Sequence, residues 1–212
     1  MKKIIYCLLV SVLLIISSCK KDNNPTQSEQ TPTETLVPLA VGNTWKYIDT
    51  SFNWDGSIMH ISNPQIFKVS SKTTIKYQGK DLEVYVWGAG GSSDDYLRSE
   101  ADGIYEYNPD PKPLRVLCFK HSFAVGEKFK GGSIDRVPWD TTIYYDFTQK
   151  CISNNETIKT PVGTFTCTVL QGDSLSYPSK HYYAKNIGEV KYYNIQYGKL
   201  LGNRTLVEYT IK

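Results

Sequence analysis

From Val37 onward, apolar and polar residues alternate with a period of two, which is the spacing of a half-buried strand rather than a helix. Clusters of glycine, proline, asparagine and aspartate separate the alternating segments, as in N-P-D-P-K-P, K-G-G-S, S-N-N and Q-G-D. A short helix at 92–97 is the one helical alternative. The pattern predicts about ten antiparallel strands, drawn from residues 44–49, 65–77, 81–87, 96–99, 104–107, 114–120, 143–148, 156–160, 164–171, 181–184, 190–194 and 206–211.

The segment 81–87 is apolar on both of its faces. Leu82, Val84 and Val86 alternate with Tyr85 and Trp87. A strand of a single-layer sheet would show one face to water, so this strand lies between two layers or its second face lines a cavity. The predicted fold class is all-β, a strongly curved antiparallel sheet forming a barrel or half-barrel, with a β-sandwich as the alternative.

A short pattern occurs twice along the chain. A-V-G-N-T-W-K at 40–46 resembles A-V-G-E-K-F-K at 124–130. In each copy a glycine turn delivers an aromatic residue into the following strand. The repeat indicates either two sheet halves that are built alike or a common way of starting a strand.

The amino terminus predicts a signal peptide at residues 1–18. A basic start, Met1-Lys2-Lys3, precedes an apolar run from Ile4 to Ile16 that is interrupted only by Ser11. Thirteen helical residues would span roughly 20 Å, which is short of the roughly 30 Å hydrocarbon core of a bilayer. The segment is therefore typical of a secretory signal rather than a membrane-spanning helix.

The signal ends in I-S-S-C at 16–19, which resembles the lipobox of bacterial lipoproteins. The resemblance implies cleavage before Cys19, acylation of its thiol and a mature chain that begins there; an ordinary signal peptide with an incidental cysteine is the alternative. Residues 19–36 then read as the lipidated cysteine and a polar, disordered linker, because this segment has no apolar periodicity. Residues 37–212 are predicted to form a single all-β domain.

The charge and cysteine content exclude some classes of protein. Loss of residues 1–18 removes two lysines, so 24 basic and 21 acidic residues become 22 and 21, without a basic patch for nucleic acid. Cys118, Cys151 and Cys167 remain and show no C-x-x-C spacing of a redox or zinc site. They are plain buried thiols, or Cys151 and Cys167 form a disulfide across neighbouring strands.

Three motifs carry a resemblance to a known family. They are V-G-x-x-W-x-Y at 41–47, T-P-x-G-T-F at 160–165 and Y-Y-A-x-x-I-G-x-V-K at 182–191. Their order is similar to that in uncharacterised exported lipoproteins of Bacteroidota, known only as domains of unknown function. The resemblance implies an antiparallel β fold like the half-barrel of lipoprotein-carrier proteins, and it carries over no catalytic residue.

No catalytic, cofactor-binding or metal-ligating constellation stands out. His60, His121 and His181 are far apart and lack metal-ligand spacing, and the acidic group Asp94, Asp95, Glu100 and Asp102 matches no calcium loop. Nucleophile motifs and phosphate-binding loops are also missing from the sequence. We therefore expect a protein that is not an enzyme and that needs no cofactor or metal.

Aromatic residues are the best candidates for ligand contact, since flat rings stack on sugars and line apolar cavities. Aromatic residues make up 13% of the chain, and we single out Trp54, Trp87 and Trp139. In addition, D-T-T at 140–142 and D-S-L at 173–175 resemble O-glycosylation acceptors of Bacteroidota, with Thr141 and Ser174 as the modified residues.

These features together predict a lipid-anchored lipoprotein of the cell envelope, in the outer membrane, that is either periplasmic or surface-exposed. Its partners are the membrane, through the lipid, and an apolar ligand, a glycan or an envelope protein. A structural or assembly accessory of an outer-membrane complex is one alternative. A hydrolase of envelope polymers is another, for which the sequence offers no residues.

The lipid anchor is directly testable. Intact-mass analysis of the protein purified from membranes should give a chain that begins at Cys19 and carries acyl groups, and Cys19→Ala should release the domain from the membrane fraction. An unmodified residue 19 in the wild-type protein would contradict the lipobox interpretation.

Overall fold

A computed structural model describes residues 34–89, 95–136, 142–172 and 178–212, with backbone alone for 135–136 and 142–147. Within these ranges every regular element is a strand. The strands are β1 (Thr44–Phe52), β2 (Ile58–Ile61), β3 (Gln65–Tyr77), β4 (Lys80–Gly88), β5 (Asp95–Ser99), β6 (Gly103–Asn108), β7 (Leu114–Lys120), β8 (Lys128–Arg136), β9 (Thr142–Thr160), β10 (Gly163–Gly172), β11 (Ser179–Ala184), β12 (Gly188–Gln196) and β13 (Lys199–Thr210).

All of these strands belong to one antiparallel sheet with the order β7-β6-β5-β4-β3-β1-β13-β12-β11-β10-β9-β8, and β2 pairs with β1 beside this path. Apart from β3 and β1, between which the short strand β2 is left off the path, neighbours in the sheet are neighbours in sequence everywhere except at the centre. There the first strand pairs with the last, with Thr44 opposite Thr210 and Ser51 opposite Gly202. The sheet is thus two meanders that are joined by one long-range pairing.

The sheet curls until its two edges approach each other. Leu97 and Cys118, from the β7 side, share one buried cluster with Phe129 and Cys151 from the β8 side. Across the same gap, a carboxylate oxygen of Glu106 on β6 accepts a hydrogen bond of 2.9 Å from the backbone N–H of Ile134 on β8. The predicted all-β, strongly curved antiparallel sheet is confirmed, and its shape is a curled half-barrel rather than two stacked sheets.

Both faces of β4 are covered, as the alternation predicts. Val84 is 1% exposed and packs with Tyr105 and Tyr107 on one side of the sheet. Trp87 points to the other side, where it lines an interior cavity. The second apolar face of this strand therefore exists because the sheet curls around a space.

Two predicted breaks lie inside strands. K-G-G-S at 130–133 belongs to β8, and S-N-N at 153–155 belongs to the 19-residue strand β9. The register of β9 against β10 shifts beside Ser153, so an irregularity absorbs these polar residues without ending the strand. Their residue types are typical of turns, but the hydrogen bonds of β8 and β9 to neighbouring strands keep both segments extended.

The segment at 92–97 and the strand β2 also differ from expectation. Residues 95–99 form β5 rather than a helix, and residues 90–94 lie outside the described ranges. The strand β2 was not predicted, because I-M-H-I is short and does not alternate. All four of its residues are exposed, and β2 is held by its pairing with the end of β1.

The two meanders repeat each other strand by strand. Corresponding strands begin at a nearly constant spacing along the chain, and β9 alone spans the positions of β2 and β3. The matching starts are Thr44 and Lys128, Lys80 and Gly163, Asp95 and Ser179, Gly103 and Gly188, and Leu114 and Lys199.

The repeated A-V-G pattern forms the same turn in both halves. The N–H of Gly42 donates to the Val69 carbonyl at 2.9 Å, and the N–H of Gly126 donates to the Cys151 carbonyl at 2.8 Å. Both glycines have a positive φ, +92° and +91°. Glycine adopts this conformation without steric cost. The repeated pattern therefore marks two sheet halves that are built alike, which is the first of the two alternatives that the sequence left open.

Residues 34–37 lie against one end of the half-barrel. Leu36 and Val37 are 5% and 8% exposed and join the interior cluster. Thr35 and Asn186 exchange two hydrogen bonds, of 2.8 and 3.1 Å. Thr35 and Leu36, in the segment that the sequence assigns to the linker, therefore contact the domain, and the chain leaves it beside the β11–β12 turn.

That turn fits tightly against β1, and substitution at Gly188 tests the contact. Gly188 has φ +113°, and a Cβ there would lie 3.0 Å from the indole nitrogen of Trp45, which donates to the Ile187 carbonyl. Gly188→Ala should destabilise the domain by about 1–3 kcal/mol, measured by urea denaturation.

Gly79→Ala is the matched control, because Gly79 has φ +75° but, its two chain neighbours aside, no heavy atom of the described chain lies within 4 Å of the position that its Cβ would take. Gly79→Ala should cost only the backbone strain of an alanine at positive φ, without a steric clash. Its loss of unfolding free energy should therefore be smaller than that of Gly188→Ala. Equal losses would contradict a steric role for the Trp45 contact.

Candidate functional site

The space inside the curled sheet is the candidate site. It is a cavity of about 240 Å³. This volume lies a little below the range of typical ligand pockets, which begins at roughly 300 Å³. The walls come from both meanders and from the amino-terminal segment. The apolar lining residues are Val37, Trp45, Tyr47, Phe67, Trp87, Leu97, Ile104, Cys118, Phe119 and Tyr183.

A chain of aromatic rings forms one wall of the cavity. The centroids of Trp45 and Trp87 lie 4.8 Å apart, and those of Phe67 and Trp87 lie 6.3 Å apart. Tyr47 meets Phe67 edge to face at 5.8 Å. Such tilted and edge contacts are the favoured geometries for aromatic pairs, so the wall is a packed surface rather than a set of loose rings.

Acidic side chains interrupt the apolar lining at the seam between the two edges of the sheet. Glu106 is 3% exposed, lines the cavity and binds the Ile134 amide through one carboxylate oxygen. Asp95, at the start of β5, also lines the cavity. Glu106 was not among the predicted site residues, although its place in G-I-Y-E-Y-N puts it on the same strand face as Ile104.

The opposite side of the cavity carries a paired cation. The Arg204 guanidinium binds both carboxylate oxygens of Asp49, at 2.9 and 3.2 Å, across the β1–β13 pairing. It also lies over the rings of Tyr47 and Phe67, at 5.7 and 5.5 Å from their centroids. Because bidentate pairing and ring stacking both fix the guanidinium, Arg204 is a rigid part of the wall.

Glu189, His181 and Ser179 form a relay on β11 and β12. His181 Nδ1 lies 2.7 Å from a Glu189 carboxylate oxygen, and Nε2 lies 3.1 Å from the Ser179 hydroxyl. The order of atoms is that of a hydrolase triad. Glu189, however, is the member that lines the cavity, and Ser179 and His181 are not among its lining residues. The cavity therefore meets the carboxylate end of this trio and not its serine.

Burial holds the cavity tyrosines in their neutral form. Desolvation is the main reason that the pKa values of Tyr47 and Tyr183 lie well above the ordinary value, and the charge of Glu189 raises both further. The Tyr47 hydroxyl donates to the Glu189 backbone carbonyl at 2.8 Å. These side chains thus act as hydrogen-bond donors and apolar walls rather than as acids at neutral pH.

The three cysteines are free, buried thiols. Cys118 lines the cavity, Cys151 packs in the same interior cluster, and Cys167 lies in a separate cluster with Val169 and Val190. Cys151 and Cys167 lie on adjacent strands but are not opposite each other, since Cys151 faces Leu170 and Cys167 faces Glu156. The disulfide alternative is therefore not formed.

The three tryptophans that the sequence predicts to contact a ligand do not lie at one site. Trp87 lines the cavity, whereas Trp54 is 52% exposed at the end of the β1–β2 hairpin and stacks on Tyr197. Trp139 lies outside the described residues, as do Cys19 and the glycosylation candidates Thr141 and Ser174. Their roles stay predictions.

The other polar residues that the sequence singles out do not come together at one site in the described structure. His121 binds the Glu100 carbonyl at 2.7 Å, Glu100 pairs with Arg115, and Asp102 accepts a hydrogen bond from Tyr105. In the described part of the chain, no group of three or more His, Cys, Asp or Glu side chains could hold a metal ion. Nor does that part contain a helix long and apolar enough to cross a bilayer.

Comparisons with known proteins give a distant likeness in structure. No protein-family model matches the chain, and no curated protein sequence does. A crystal structure of an inferred lipoprotein from Parabacteroides distasonis ATCC 8503 is 13% identical with a TM-score of 0.46, covering 83% of this chain and 98% of that one. An inferred exported protein with a YmcC-like fold from Bacteroides fragilis NCTC 9343 is 14% identical with a TM-score of 0.48, covering 82% and 98%. At these scores the likeness carries no argument about function.

The buried thiols give the domain a defined pH dependence. Desolvation raises the pKa of the Cys118 thiol and brings the pKa of Cys167 to about 12, from an ordinary value of 9.0. Above about pH 9 these thiols hold fewer protons in the unfolded chain than in the folded one, so their contribution to the free energy of unfolding should be flat below that pH and fall as the pH rises toward about 12. The buried tyrosines act in the same direction in the upper part of this window.

Each thiol can contribute up to about 1.4 kcal/mol per pH unit in that window. Urea denaturation between about pH 8 and about pH 11 measures the slope, and Cys167→Ala should make it shallower whatever its effect at neutral pH. An unchanged slope in Cys167→Ala would show that this thiol does not contribute.

Proposed function

We propose that the protein is a lipid-anchored, non-enzymatic lipoprotein of the bacterial cell envelope whose domain binds a small apolar ligand in the interior cavity. The observation that carries the proposal is the cavity itself, an aromatic-walled space between the two halves of one sheet. The signal, lipobox and polar segment of the sequence support the anchor. Glycan or protein binding through surface aromatics is the alternative mode.

The lining indicates the kind of ligand. Most of the wall is aromatic or aliphatic, so burial of a ligand's apolar surface supplies the affinity, at roughly 25 cal/mol per Å². Arg204, Glu106 and Glu189 line the same cavity and can orient one polar group. A short acyl chain or a small aromatic compound with a single polar end suits this volume and polarity.

The cavity is formed before a ligand arrives. Its aromatic wall sits on β1, β3 and β4, whose neighbours in the sheet fix them on both sides, and the Trp45 indole is held by the Ile187 carbonyl. A preorganised wall loses little conformational entropy on binding, which favours affinity for a small ligand.

The arrangement of polar groups supports binding rather than catalysis. The relay directs its carboxylate to the cavity, and Arg204 is already neutralised by Asp49. A hydrolase would need a nucleophile or an activated water facing the ligand, with donors for the developing negative charge. The described lining offers the Ser133 hydroxyl, on β8, and the Cys118 thiol, whose pKa is raised by burial so that it stays protonated.

Two tryptophan substitutions separate the cavity from the surface. The fluorescent apolar probe N-phenyl-1-naphthylamine should bind the wild-type protein and be displaced by medium-chain fatty acids. Trp87→Ala should weaken binding roughly 10- to 100-fold, because it removes one buried aromatic contact surface worth about 1.5–3 kcal/mol.

Trp54→Ala is the matched control, since it makes the same chemical change at an exposed site. It should leave probe affinity unchanged, and circular dichroism should show that both variants fold. Loss of binding in Trp54→Ala alone would show that the ligand site lies on the surface. Unchanged binding in both variants would show that the aromatic wall of the cavity does not bind the probe.

A further inference from the structure

The end of the half-barrel opposite residues 34–37 carries an exposed apolar surface, which we call the tip patch. It consists of Trp54, Ile58, Met59, Ile61, Tyr197 and Leu200, all of which are between 37% and 67% exposed. The other exposed large apolar residues of the described chain, Val41, Ile66 and Val125, lie outside it. A soluble surface rarely gathers its exposed apolar residues in one place unless something covers them.

The patch is one surface although two hairpins build it. The rings of Trp54 and Tyr197 stack with centroids 6.3 Å apart and an angle of 20°. The Lys199 ammonium donates to the Trp54 carbonyl at 2.8 Å and lies 5.5 Å from its ring centroid. These contacts hold the β1–β2 and β12–β13 hairpins together, so their apolar residues are presented as a unit.

The β2 strand presents exposed apolar side chains on one face of the β1–β2 hairpin. Ile58 lies opposite Phe52 and Ile61 lies opposite Thr50, and these two β1 residues share a face because side chains alternate along a strand. The register shift beside Phe52 leaves Met59 as the extra residue of a bulge. Ile58, Met59 and Ile61 are all more than half exposed, so the hairpin offers them to a surface that lies against the tip.

The residue types favour the interfacial zone of a bilayer. Tryptophan and tyrosine are amphipathic rings that collect at the membrane–water boundary, and lysine keeps its ammonium in the headgroup layer. Asp55 at the hairpin turn, held by Ser57 at 2.6 and 2.9 Å, balances the charge of Lys199. A pair of opposite charges beside the patch limits its insertion to the headgroup level.

The predicted anchor brings such a surface within reach, and this step rests on the proposed function. At about 3.4 Å per residue, the segment 19–33 reaches roughly 50 Å when it is fully extended. Strand β1, which runs from the Trp45 end of the domain to the tip, is about 30 Å long at roughly 3.3 Å per residue. A chain acylated at Cys19 can therefore lay the tip on the bilayer that holds its lipid.

From these observations we infer that the tip patch docks on a lipid surface and acts as a second attachment point beside the acylated Cys19. A short tether gives an effective concentration on the order of millimolar, so a weak patch suffices. Two points of attachment hold the domain along the membrane, whereas one acylated end would leave it free to rotate.

Vesicle binding tests this inference on the mature chain, residues 19–212, with Cys19→Ser, so that neither the signal peptide nor an acyl group contributes. Vesicles of phosphatidylethanolamine and phosphatidylglycerol that contain brominated lipid should quench tryptophan fluorescence, and Trp54→Phe should abolish most of the quenching. The double variant Met59→Asp/Tyr197→Asp should lower the partition coefficient at least about tenfold. Val125→Asp, which charges an exposed valine outside the patch, should leave it unchanged.

Several outcomes would overturn the inference. Equal partition of the tip and Val125 variants, or wild-type quenching that Trp54→Phe does not remove, would show that the patch does not meet lipid. A dimer in sedimentation that the double variant abolishes, without lipid quenching, would assign the patch to a second copy. A crosslinked envelope protein without quenching would assign it to a protein partner.

The experiment separates this inference from the proposed function. Absence of acylation at Cys19 in the wild-type protein, or loss of probe binding from the cavity, would affect the proposed function without changing the vesicle result. Failure of vesicle binding would leave both the anchor and the cavity untouched.

Discussion

The pairing of the first strand with the last is the constraint on which the rest of the structure depends. Strands β1 and β13 are separated by most of the chain, yet in the described sheet their ladder joins the two meanders. Asn43, which is fully buried, reinforces it, because its side chain accepts from the Lys212 N–H at 2.9 Å and donates to the Pro38 carbonyl at 3.0 Å. The two ends of the domain are thereby fixed at one point.

The cavity follows from this pairing together with the twist of the strands. Two alike meanders joined edge to edge make a sheet too wide and too twisted to stay open, so its outer edges curl toward each other. Large rings on β1, β3 and β4 cover one wall, and Glu106 bridges to the Ile134 amide across the seam. Polar groups within the space are held by partners, as Arg204 is by Asp49, so the wall is preorganised rather than adaptable.

The two ends of the half-barrel have different character. At one end, residues 34–37 close the interior through Leu36 and Val37 and lead toward the predicted anchor. At the other, two hairpins present Trp54 and Tyr197 to solvent. Strand β1 links the cavity to both ends of the half-barrel. It carries Trp45 near the end that residues 34–37 close, and it leads into Trp54 at the tip.

The period-two alternation, the glycine turns and the two-sided strand 81–87 determined by themselves an antiparallel, strongly curved all-β domain, because strand periodicity and turn chemistry are local properties. For the same reason, the sequence alone placed Trp87 on the second apolar face of its strand, which lines the cavity. The β1–β13 pairing, the continuity of β9 through S-N-N and the meeting of Glu106, Arg204 and Glu189 around one space were decided only by the tertiary structure. They depend on contacts between residues far apart in the chain, where the curl of the sheet, and not the neighbours in sequence, decides which side chains face each other.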